Sequence, residues 1–174
     1  YAVTLPGIAY SVQAVPIVNP GFDATAAGVM TGWTQIEHNT GNSYSFVADT
    51  AVYARSAPTS LRINQHGTEF FGLIEQRVRV QPAWLGKTMR LSGFVRTRGA
   101  NGVGAALVLQ ARDGGDQILQ FDQMDGRRVR GDQEWQQVAV QVKLPASSWW
   151  LQVGAMLEDQ GTLWVDDLVL ELMD

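Results

Sequence analysis

The closing run of the chain, GTLWVDDLVLEL (161–172), sets two adjacent carboxylates in an otherwise apolar stretch. Read as a strand with strict two-residue alternation, it places Trp164, Asp166, Leu168, Leu170 and Leu172 on one face and Leu163, Val165, Asp167 and Val169 on the other. At least one acid therefore sits among hydrophobes, where a charge needs compensation. A hard cation with oxygen ligands would supply it, and so would loop N–H groups or an arginine such as Arg62 or Arg55.

Catalytic signatures are sparse. The two histidines, His38 in EHNTGN and His66 in QHGTEF, lie in polar, loop-like segments without ligand spacing. No serine occupies a G-x-S-x-G elbow, and GANGVG lacks the lysine of a phosphate loop. Carboxylate pairs such as Glu69/Glu75 and Asp122/Asp125 have no spacing that singles them out. The expectation is a chain without catalytic activity.

Aromatics beside planar polar groups carry more information. A sugar offers C–H faces that stack on rings and hydroxyls that meet Arg, Gln, Asn or Asp. Phe121 in QILQFDQM, the Phe70–Phe71 pair before GLIEQRVRV, and Phe94 with Arg96 and Arg98 in TMRLSGFVRTR are the candidate platforms, with Phe121 and Gln110 expected beside the Phe94 face. The arginines on the Phe94 face favour an anionic glycan. Trp33, Trp135 and Trp164 read as core, whereas Trp149–Trp150 adjoin Ser148 and read as one buried and one exposed.

The elements that position these residues are strands. No stretch of 10–15 residues repeats its apolar positions at three and four, while period-two runs recur between Gly, Pro, Asn and Asp. The runs are 12–18, 33–37, 43–49, 59–65, 70–80, 88–98, 103–112, 116–124, 136–144, 149–157 and 162–172, with GANG (99–102) read as a hairpin turn. Such spacing predicts an all-β, antiparallel sandwich of the jelly-roll type, with about 8–10 strands in two sheets. With 174 residues the chain is read as residues 1–18, an extension or linker, and one domain over 19–174. Thirteen basic against seventeen acidic residues, a net charge of −4, argue against a nucleic-acid partner. Cysteine is absent, which excludes disulfides and thiolate metal sites. No apolar run reaches membrane-spanning length, so direct insertion is not expected.

Three ordered segments resemble carbohydrate-binding modules of families 4 and 9. NPGFDATAAGVMTGW (19–33) resembles their opening, FDQMDGRRVRGDQEWQQVAVQVKLP (121–145) their penultimate strand, and GTLWVDDLVLEL their close. APTSLRI resembles their G-x-x-S-L-x-I, with the glycine replaced. The resemblance implies a galactose-binding-like β-jelly roll that recognises a polysaccharide or glycan on one sheet, and an extracellular or periplasmic address. It also implies a structural calcium ion held by Gly21, Asp23 and Asp166, with Asp49 the nearest equivalent of a third acid. Phe121 matches, within one residue, an aromatic of the family's concave sheet, and Phe70 or Phe71 another. The same architecture serves as an accessory or sensory domain of a larger polypeptide that contacts protein and binds no sugar. Convergence of Phe121, Phe70 or Phe71, and Arg96 on one open sheet separates the two readings.

Overall fold

The computed structural model describes residues 12–26, 29–38, 42–51 and 59–174. In chain order the strands are β1 (Val12–Val15), β2 (Thr25–Ala26), β3 (Val29–Met30), β4 (Thr34–Glu37), β5 (Tyr44–Asp49), β6 (Ser60–Gln65) and β7 (Phe71–Arg79). After a 3-10 turn at Pro82–Trp84 come β8 (Thr88–Arg112), β9 (Ile118–Asp122), β10 (Val129–Lys143), β11 (Trp150–Glu158) and β12 (Thr162–Met173). Every pairing is antiparallel, and the described residues contain no α-helix.

Ten strands join in one hydrogen-bonded sheet that folds over into two faces, because the 25-residue β8 belongs to both. Its first half lies between β10 and β12, and β12 continues to β6 and β5, with β1 beside the far end of β12. Its second half lies between β11 and β9, and β11 continues to β7 and β4. Hydrogen bonding along β8 thus replaces the GANG hairpin expected from the sequence. Gly99 and Gly104 take positive φ (60° and 107°), and these left-handed residues bend the strand from one face to the other instead of reversing it. Ala100, at the bend, is fully buried, unlike the tip of a hairpin.

Met89, Leu91, Val95 and Thr97 from the first half of β8, and Ala105, Leu107, Leu109 and Ala111 from the second, all point between the faces and are buried. They meet Leu151, Val153, Ala155 and Leu157 of β11 and Leu163, Val165, Leu168 and Leu170 of β12 in one core. The β12 pattern departs from strict alternation. Asp167 adopts φ 52° and the register with β8 shifts between Asp166 and Val169, so odd residues face the core before this bulge and even residues after it. Trp164 and Leu168 therefore do not share a face, contrary to the alternation read from the sequence.

Residues 12–18 do not stand apart as an extension: β1 pairs with Leu170–Met173, and the Val18 backbone exchanges two 2.9 Å hydrogen bonds with the Gln76 amide. Residues 1–11 lie outside the described residues. The opening motif builds a ribbon the sequence reading missed. The Asn19 side chain bonds Ala24 N–H and the carbonyls of Ala24 and Thr31, holding β2 against β3. Phe22 and Trp33 stack beneath it at 5.0 Å, both buried.

Candidate functional site

The outer side of the β4–β7–β11–β8–β9 face holds a groove of about 400 Å³. Its floor is apolar. Leu73 on β7, Val108 on β8 and Met156 on β11 form a small cluster separate from the main core, with Ile36 and Phe71 packed on it. Gly154 lets β7 and β11 approach closely at this floor: it sits between Glu75 and Val108 in the cross-strand register, and a Cβ there would lie 2.1 Å from the Ile74 carbonyl oxygen.

Across the floor runs a polar row of directly paired residues, Arg77, Gln152, Gln110 and Phe121, one each from β7, β11, β8 and β9. Arg112 donates to Gln110 Oε1 at 2.9 Å, and the Gln152 amide donates a short hydrogen bond to the Glu75 carboxylate. Arg77 and Arg112 both pair with Asp116, at 3.0 and 3.2 Å, and hydrogen bonding from Arg77 holds the Asp116 carboxyl below its ordinary range. Phe121 stands on the rim beyond Gln110, 52% exposed. Phe121 and Gln110, expected beside the Phe94 face, instead pair with each other across β8 and β9. Phe71 lines the groove at its other end. Phe70, 68% exposed, contacts the His38 ring edge-on at 4.9 Å, and His38 Nδ1 lies 3.3 Å from Glu69.

Phe94, Arg96 and Arg98 do not join this site. They lie on the half of β8 before the Gly99–Gly104 bend, which belongs to the other face. There the arginines are spent on protein partners. Arg98 and Arg96 both approach Glu134, and the Arg98 hydrogen bond lowers the Glu134 carboxyl from its usual value. Arg96 also covers Trp164 at 5.1 Å, while the Trp164 indole donates to Asp49 at 2.9 Å and Arg62 reaches the same carboxylate at 3.3 Å. The anionic-glycan expectation rested on these arginines and loses its basis. Trp164 and Trp135 are half-buried, Trp33 is buried, and Trp149 is the exposed member of its pair, with Arg79 stacked 3.0 Å over its ring.

Asp166 is completely buried, and its Oδ1 accepts the Asp167 N–H at 2.8 Å. Asp23 Oδ1 accepts the Thr59 N–H and hydroxyl at 3.2 and 2.9 Å. Asp49 is committed to Trp164, Arg62 and the Ala51 N–H. Among the described residues no three of His, Asp and Glu converge, so a cation at Asp23 and Asp166 would draw its remaining ligands from backbone oxygens, Gly21 among them. Arg55 lies outside the described residues.

Sequence reasoning did not reach Gln152, Arg77, Arg112, Leu73, Val108 and Met156, and it named Glu75 only as a carboxylate without distinctive spacing. A signal existed in EQRVRV (75–80), where Glu75, Arg77 and Arg79 alternate against an inward set. Nothing in it indicated that Leu73 and Val108, though apolar, line the outer face.

No family model matches the chain. An uncharacterized HTH-type transcriptional regulator of Bacillus subtilis (strain 168), YbfP, is 34% identical over 91 residues, which are 52% of this chain and 30% of the regulator. The chain thus spans under a third of that relative. Among solved structures, the CBM22-1 xylan-binding domain of Paenibacillus barcinonensis Xyn10C superposes with TM-score 0.61 at 18% identity, covering 87% of this chain and 90% of that one. A family 4 module aligns with TM-score 0.58 at 14% identity, over 90% and 99%. A Stig cyclase from Fischerella sp. TAU aligns with TM-score 0.64 at 15% identity, over 93% and 98%. The chain has the antiparallel jelly-roll fold of the carbohydrate-binding modules, a fold that also supports cyclases.

Proposed function

We propose that the chain binds a carbohydrate, without transforming it, along the groove of the β4–β9 face. The observation that carries this reading is the pairing of an apolar floor (Leu73, Val108, Met156) with a cross-strand row of amides and guanidinium groups ending in the exposed Phe121 ring. The floor and ring suit C–H faces, and Gln110, Gln152 and Arg77 suit hydroxyls. The resemblance of this fold to sugar-binding modules supports it. Affinity electrophoresis against neutral and charged polysaccharides tests it, with dissociation constants on the order of micromolar to millimolar expected for so shallow a site. Absence of retardation by every polymer would overturn it.

The HTH-type relative favours a second reading, in which the same groove is the ligand-sensing part of a longer regulatory polypeptide. This reading needs a small soluble sugar inside the cell, whereas capture of a polysaccharide fits the extracellular or periplasmic address that the resemblance implies. Binding of mono- and disaccharides in preference to polymers would select the sensor. A structural calcium ion at Gly21, Asp23 and Asp166 is a separate proposal. The complete burial of Asp166 and the hydrogen bond from Leu168 N–H to the Pro20 carbonyl, which brings the opening loop onto β12, support it.

A further inference from the structure

Resting on the sugar-binding reading of the groove, we infer that its ligand carries a protonated amine, so that the preferred glycan is an amino sugar and acidic glycans are disfavoured. The geometry points to Glu75. Its carboxylate is on the groove floor between Leu73 and Arg77 along β7 and opposite Gly154, and the residue is only 8% exposed. Its hydrogen-bond partner is the neutral Gln152 amide, itself 4% exposed. The cations that line the same groove are committed elsewhere. Arg77 and Arg112 bind Asp116, and the groove's other acid, Glu158, is taken by Arg128 at 3.0 Å. Among the described residues no Lys, Arg or His pairs with Glu75.

A carboxylate so far removed from water, with one neutral donor and apolar neighbours, has unmet demand for positive charge. A neutral sugar answers with hydroxyl donors alone. A uronic acid sets a second negative charge against the floor, where low effective dielectric strengthens repulsion. An ammonium on a sugar ring supplies both charge and three donors to this carboxylate, which lines the groove.

The test uses matched-length oligomers of glucosamine, N-acetylglucosamine, cellulose and galacturonic acid, titrated calorimetrically at a mildly acidic pH that protonates the amines. Glucosamine oligomers should bind at least about tenfold more tightly than the neutral pair, and galacturonate oligomers most weakly. Glu75→Gln should erase the excess of the glucosamine oligomers over the neutral pair, whatever it does to the affinity common to both. A salt series on the unmodified protein reads the same attraction without a variant, since the excess should shrink as ionic strength rises. Equal binding of all four oligomers, or an excess that survives both Glu75→Gln and salt, overturns the amine assignment while leaving sugar binding intact. Binding of none overturns both.

Discussion

The Tyr44 hydroxyl on β5 accepts the backbone N–H of Asp159 at 3.1 Å, joining segments 115 residues apart. The same hydroxyl donates to the Glu69 carbonyl at 3.1 Å, so the β11–β12 turn and the loop leading into β7 are tied to one phenol. Burial pushes this phenol from its ordinary 10.0 up to about 12. Below pH 10 the group is neutral in folded and unfolded chains alike, and its contribution is complete. Above that, the unfolded chain releases its proton first, and stability should fall as the pH rises toward 12, by on the order of 2 kcal/mol. Denaturant titrations in this window should show the loss, and Tyr44→Phe should flatten it at a neutral-pH cost of about 1–2 kcal/mol.

Gly154→Ala should be among the most damaging small substitutions in the chain. The added Cβ would fall 2.1 Å from a backbone oxygen of the neighbouring β7, which cannot retreat as a side-chain end would. A loss of about 2–4 kcal/mol in unfolding free energy is expected, with a fall in melting temperature as the readout.

The two predicted aromatic faces should respond oppositely. Phe121→Ala removes a ring that is 52% exposed on the groove rim, so it should weaken sugar binding by about 1–2 kcal/mol and leave melting nearly unchanged. Arg96→Ala lies on the other face, where the guanidinium covers Trp164. It should lower stability by about 0.5–1.5 kcal/mol and leave binding untouched. Paired titrations and melting curves of both variants decide the matter, and a loss of binding in Arg96→Ala would place the site on the wrong sheet.

Chelation gives the calcium proposal its outcome. If a cation is held at Asp23 and Asp166, a chelator should lower the melting temperature of the unmodified protein, because the ion binds only the folded chain. The Asp166→Ala protein should be insensitive to it. An identical melting curve with and without chelator would show that the buried Asp166 is satisfied by protein donors.

Much of the fold was legible along the chain. The strands 44–49, 60–65, 71–79, 150–158 and 162–173 fall within two residues of their period-two runs, because alternation of side chains is a local property of extended backbone. Phe121 and Gln110 were expected beside the Phe94 face, and their pairing with each other across β8 and β9 is a product of strand order. Three features were decided by tertiary structure. GANG carries the composition of a hairpin, yet its glycines bend one long strand, since whether a left-handed residue reverses or deflects a strand depends on which neighbours take its hydrogen bonds. That bend sends Phe94, Arg96 and Arg98 to one face and Gln110 to the other, a separation no local pattern encodes. The Asp166–Asp167 bulge shifts β12 by one residue, invisible to a strict period of two. The groove itself, with Glu75 facing Gln152 across 77 residues of chain, exists because β7, β11 and β8 lie side by side. By itself the sequence determined the strands and their alternation; strand order, a long-range property of how the strands pair, decided which residues share a surface.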